Sequence, residues 1–273
     1  MVRDMNHVFD EATTVEKIDS ADRYTVRATT HPAYNNMVGP FGGITAATVV
    51  RAIVDHPTVL GDPLALTINY AAPIAEGEWD LTLEAIRTNR TNQHWTFTIG
   101  QNEQTVATGT AVFGVRRDTW GDTEGDAPQL PPVDEVPAVD FPDFIAWARN
   151  YDKRFVTGSL EAASEDSTST LWLRDEPARP LDFPALTSMT DAFFPRVFLR
   201  HGTYMPAGTI SLTTYFHATR EELTAQGANS VRATARGSRF GNGHFDQYGQ
   251  IWGDADVLLA TTHQLVYYKD VAQ

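Results

Sequence analysis

FGGITAATVVRAIVDHP, residues 41–57, opens on Gly42-Gly43 and then sets Ile44, Ala47, Val50, Ile53 and Val54 at helical spacing. That period predicts a helix from about Ile44 to Asp55, stopped before Pro57. Strand-like sequence follows without a break: LALTINYAAPI at 64–74, WDLTLEAIRTN at 79–89, HWTFTIGQN at 94–102 and QTVATGTAVFGVRR at 104–117. Gln101-Asn102-Glu103-Gln104 reads as the hairpin turn between the last two. A single long helix followed by a meander predicts an α+β unit, with the helix stripe buried in a curved antiparallel sheet.

The order then returns. PALTSMTDAFFPRVF, 184–198, predicts a second helix, bent or ended by Pro195. Strands are expected at 209–218, 229–241, 244–253 and 256–269, with Gly253-Asp254-Ala255-Asp256 as the matching turn. LTINY (66–70) aligns with LTTYF (212–216), and ATGTAVF (107–113) with ATTHQLV (260–266). Earlier strand material lies at 21–31 in the first half and at 154–175 in the second. Between the halves runs RDTWGDTEGDAPQLPPVDEVPAVDFP, acidic, rich in Pro and Gly and without a period. The expected organisation is therefore an N-terminal unit over 1–116, a linker over 117–142 and a C-terminal unit over 143–273.

Composition narrows the function classes. The 273 residues suit two units of roughly 130. There is no Cys, which removes disulfides, thiolate nucleophiles and Cys-ligated zinc. The net charge of −14 argues against general nucleic-acid binding, which needs a basic face. Arg87 with Arg90, Arg196 with Arg200, and Arg232 with Arg236 and Arg239 read as ordinary solvated arginines. No apolar run is long enough for a membrane span, and the charged opening residues do not read as a secretory signal, so a cytoplasmic location is expected. His244-Phe245-Asp246 is too short for a metal site, and no G-x-S-x-G elbow is present.

Helix-then-meander, given twice, resembles a double hotdog fold, and the chain resembles the acyl-CoA thioesterase II family. The resemblance rests on FGGITAATVVRAI and LALTINYAAPIAEGEWDLTLEAIR in the first half. In the second it rests on LWLRDEPARPLDFPALTSMTDAFFP, AGTISLTTYFHA and GQIWGDADVLLATTHQLVYY. It implies hydrolysis of an acyl-CoA thioester by a water held by an Asp on the second helix, a Thr at the following strand and a Gln on the last strand. Carried over, these fall on Asp191, Thr209 and Gln264. No metal or redox cofactor is implied.

The residue chemistry agrees with that implication. Asp191 can accept a proton from water, Gln264 offers a donor and an acceptor, and Thr209 a hydroxyl. In the repeat, Gln264 aligns with Ala111 and Thr209 with Pro63, which places one site, in the second half. Gly42-Gly43 would present free N–H groups and a helix dipole to a thioester carbonyl, or simply permit close helix packing. Phe193, Phe194, Tyr215 and Phe216 are candidates for an acyl-chain lining or for core. His263 has no assigned role; strand alternation turns it away from Gln264, toward solvent, a neighbouring subunit or a core hydrogen bond. A non-catalytic acyl-CoA binder and a hotdog enoyl-CoA hydratase are the competing readings, though no Asp-His loop motif supports the latter. Exposed sheet edges suggest a homo-oligomer.

Overall fold

The computed structural model describes residues 7–18, 23–160 and 163–269. The first half contains α1 (Val8–Ala12), β1 (Glu16–Ile18), β2 (Tyr24–Thr29), α2 (Gly42–Val54), β3 (Asp62–Tyr70), β4 (Glu78–Thr88), β5 (Asn92–Gln101) and β6 (Gln104–Gly114). The second contains β7 (Tyr151–Thr157), β8 (Ser169–Asp175), α3 (Phe183–Met189), α4 (Arg196–His201), β9 (Ala207–Phe216) and α5 (Arg220–Gln226). It ends with β10 (Val231–Arg236), β11 (Phe240–Gly241), β12 (His244–Trp252) and β13 (Leu258–Tyr268). Among the described residues, no helix is long and apolar enough to cross a membrane.

One sheet runs through both halves in the order β1-β2-β4-β5-β6-β3-β9-β13-β12-β10-β8-β7, with β11 beside β12. The halves meet where β3 pairs antiparallel with β9, Leu66 opposite Thr214 and Ile68 opposite Leu212. The architecture is the expected α+β double hotdog. The repeat is visible in the ladder itself: Leu66 faces Ala111, and Leu212 faces Gln264. Further along, Pro63 faces Phe113 and Thr209 faces Val266, after a register shift in both halves. The β5–β6 hairpin turns at Asn102 and Glu103, both with positive φ (51° and 63°), the geometry that follows the sheet's twist.

α2 is buried from Gly43 to Ile53 on all sides, not along one stripe. The sheet wraps it and α3 closes the remaining side, so its polar residues need partners. Thr48 bonds back to Ile44 O at 2.9 Å, and Arg51 reaches Asp10 at 3.3 Å and Asp182 at 3.0 Å.

Several expectations are corrected. The single helix over 184–198 is two short ones. α3 stops at Met189, where the Thr190 hydroxyl donates to Thr187 O at 2.7 Å and lies 2.9 Å from the Thr214 hydroxyl, which offers the chain an alternative to another turn. Pro195 then caps a separate α4. The strand expected over 229–241 breaks after Arg236, because Asp246 accepts the N–H groups of Ser238 and Arg239 at 3.0 and 2.8 Å. The turn at 253–256 is a short 3₁₀ segment with Ala255 at φ 53°. Arg196 is not a solvated arginine: it is fully buried, with Nη1 2.6 Å from Ser169 Oγ.

Candidate active site

The N-terminal end of α2 and the turn after α3 face one another across the junction of the halves. A cavity of about 440 Å³ opens there, lined among others by Gly42 and Tyr70 from the first half and by Asp191, Thr209, Gln247 and Gln264 from the second. The five residues singled out from sequence thus come to one place. Gly43 does so through its backbone N–H, which is directed at the Asp191 carboxylate and favours its charged form.

Asp191 does not lie within a helix, as expected, but just beyond the end of α3. That position lets its side chain point across to α2. A Cβ on Gly42 would sit 2.8 Å from Asp191 Oδ2, and one on Gly43 would sit 2.7 Å from Ser188 O and 2.5 Å from the Phe41 ring. The close-packing reading of the glycine pair fits these distances, and the close approach of α2 to α3 is what brings the helix terminus to the carboxylate. Phe41 caps α2 with no side-chain hydrogen bond, so the helix's first N–H groups are left to other partners.

The second-half side chains form a chain of contacts. Thr209 Oγ1 donates to Gln264 Oε1 at 3.0 Å, and Gln264 Nε2 donates to Thr190 O at 3.4 Å. The same amide favours the ionised form of Asp191. Burial dominates nonetheless: Asp191 is 7% exposed, and its carboxyl is pushed up to about 7. Lys153, on β7 and 3% exposed, opposes that rise by its charge, while burial pushes its own ammonium down to about 7. Its Nζ lies 3.9 Å from the Trp147 ring centroid and 5.4 Å from that of Tyr151. Trp147 in turn stacks on Phe41 at 4.0 Å.

The chain matches the acyl-CoA thioesterase N-terminal domain over residues 31–114 and the acyl-CoA thioesterase C-terminal domain over residues 126–268. It belongs to the acyl-CoA thioesterase family. A hot dog fold protein of unknown function from Alicyclobacillus acidocaldarius is 42% identical, over 98% of this chain and 100% of that one, with a TM-score of 0.92. The tesB protein of Mycobacterium avium subspecies paratuberculosis (13% identity, 96% and 98% covered, TM-score 0.78) shares the fold. So does acyl-CoA thioesterase II TesB2 of Mycobacterium marinum (16% identity, 96% and 98% covered, TM-score 0.72). Comparison with curated proteins returned no match.

Within this thioesterase-family chain, two cavity-lining residues, Tyr70 and Gln247, and the buried Lys153 beside the site escaped the sequence reading. Tyr70 donates its hydroxyl to Gly42 O at 2.8 Å; its repeat counterpart, Phe216, has none, so the comparison that singled out Gln264 against Ala111 would have found it. Gln247 faces Gln264 across the β12–β13 ladder, where the first half has Trp95 facing Ala111. A strand lysine such as Lys153 ordinarily reads as surface, and nothing in its sequence neighbours signals burial. Of the aromatic candidates, Phe193 lines the cavity. Phe216 is core, edge-on to Phe183 at 6.0 Å; Phe194 packs on Phe155 at 5.7 Å. Tyr215 is 52% exposed and is not part of this cavity's lining. His263 is on the face away from Gln264, edge-on to Tyr248, with Nε2 3.5 Å from Asp246 Oδ2.

Proposed function

We propose that this chain is an acyl-CoA thioesterase in which Asp191 acts as general base toward a water that attacks the thioester carbon. The observation that carries the reading is the meeting of a buried carboxyl poised at about 7 with the N-terminal end of a 13-residue helix, inside one cavity. A base works best when its pKa lies near the working pH, because it is then both available and strong enough to take the proton. The attack forms a C–O bond and puts negative charge on the thioester oxygen. The α2 terminus, through the positive end of the helix dipole, stabilises that charge. Collapse expels the CoA thiolate and leaves the free acid. Gln264, held by Thr209, fixes the carboxylate's orientation.

The reading fits the sequence contrast between the halves. The polar trio occurs once, and the equivalent ladder positions carry Ala111 and Pro63. Both halves keep the same register, so the sheet does not require the trio for pairing.

Acyl-CoAs of graded chain length, with released thiol as readout, test the proposal alongside Asp191→Asn. Hydrolysis should be seen and should fall about 100-fold or more in the variant, as on loss of a positioned base. Binding without turnover at every chain length would make the protein a binder instead, and full activity in the variant would remove Asp191 from the mechanism.

A further inference from the structure

Gln264 is fully engaged. Its oxygen takes the Thr209 hydroxyl, and its amide N–H groups serve Thr190 O and the Asp191 side. Gln247, its direct neighbour across the ladder, is the opposite case. It lines the same cavity and is 2% exposed, yet its Oε1 has no partner and its side chain makes no hydrogen bond among the described residues. An amide carries one acceptor and two donors, and leaving such a group unmet in a buried setting is costly. Packing does not explain its presence. At the equivalent ladder position the first half has Trp95, 1% exposed, a mostly apolar side chain whose one polar atom, Nε1, also lacks a partner, so this inner face does not need an amide acceptor for packing.

We propose that Gln247 forms a subsite for a hydroxyl group on the acyl chain, close to the thioester carbon. A hydroxyl both gives and takes a hydrogen bond, which matches an amide with both functions free. Proximity follows from register: residues directly opposite in an antiparallel pair have Cα atoms about 5 Å apart, and Gln264 is the residue that meets Asp191. An unsubstituted alkyl chain in the cavity would displace water from Gln247 and offer nothing in return. A chain hydroxylated within two or three bonds of the reacting carbon would satisfy it. Gln247 thus acts as a specificity determinant, favouring hydroxyacyl over plain acyl thioesters. This deepens the thioesterase reading and rests on it.

The test compares octanoyl-, 2-hydroxyoctanoyl- and 3-hydroxyoctanoyl-CoA with the wild type, Gln247→Leu and Gln247→Met. In the wild type, one hydroxylated substrate should exceed octanoyl-CoA in kcat/KM by about tenfold or more, the scale set by one buried hydrogen bond. Both variants should bring that ratio close to one. A wild-type ratio of one or below for both hydroxylated substrates overturns the proposal, as does a preference that survives in both variants. Calorimetric affinities for the non-hydrolysable thioethers S-octyl-CoA and S-(hydroxyoctyl)-CoA separate the two readings. Absence of hydrolysis would defeat the thioesterase proposal alone, whereas equal affinities for the thioethers would defeat the subsite.

Discussion

Thr209 reaches Gln264, 3.0 Å from oxygen to oxygen, because β9 contains one residue more than its partner strand at that point. Leu212 pairs with Gln264 and Ser211 with Leu265, but Val266 pairs with Thr209, leaving Ile210 as the extra residue. The bulge changes the phase of the strand. Without it, a residue three places from the inward Leu212 would face outward. With it, Thr209 turns to the concave side and meets the amide. The same irregularity sits between Pro63 and Ala65 in the first half, where it brings no polar group inward.

Thr209→Val keeps the side chain's shape and removes the donor. We expect kcat to fall by about tenfold, consistent with one lost hydrogen bond of about 1–1.5 kcal/mol, and the melting temperature to stay within a few degrees. Steady-state kinetics and a thermal melt check both.

The pH profile should carry the signature of the buried base. Burial raises the Asp191 carboxyl to about 7, so kcat/KM should climb with pH as that group ionises. The charge of Lys153 lowers the same carboxyl. Lys153→Met removes that help, so the rising limb should move to higher pH. An unmoved limb would mean that Lys153 does not act on Asp191.

Stability should show the reverse dependence. The native Asp191 carboxyl lies above its ordinary value of 3.8, so the folded state holds the proton more tightly than the unfolded chain. Its contribution to stability is present below about 4 and is lost as pH rises toward 7. Asp191→Asn carries no such titration. The variant should therefore melt higher than the wild type by a margin that grows between pH 4 and 7, readable by calorimetry across that range.

Gly43→Ala should damage fold and site together. The added methyl would stand 2.5 Å from the Phe41 ring and 2.7 Å from the Ser188 backbone oxygen, and backbone yields poorly. A cost of about 1–3 kcal/mol is expected, together with a drop in kcat as α2 moves from Asp191. Melting temperature and turnover measured on one preparation would reveal both.

The sequence by itself determined the plan: two helix-then-meander units, their alignment through LTINY and LTTYF, and the half that carries the polar residues. These are local properties. Apolar period marks the helix, alternation marks the strands, and a repeat is legible because both copies obey the same pattern. The polar exceptions, Gln264 against Ala111, stand out for the same reason. What only the tertiary structure decided was how those residues meet. It ended α3 at Met189 through hydroxyl bonds between Thr190, Thr187 and Thr214, and so freed Asp191 to face α2. It inserted the bulge that turned Thr209 inward, buried Lys153 behind Trp147, and set an unpartnered Gln247 beside Gln264. Each outcome depends on contacts between residues distant in the chain, and pattern along one strand or helix carries no information about a partner brought in from the other half.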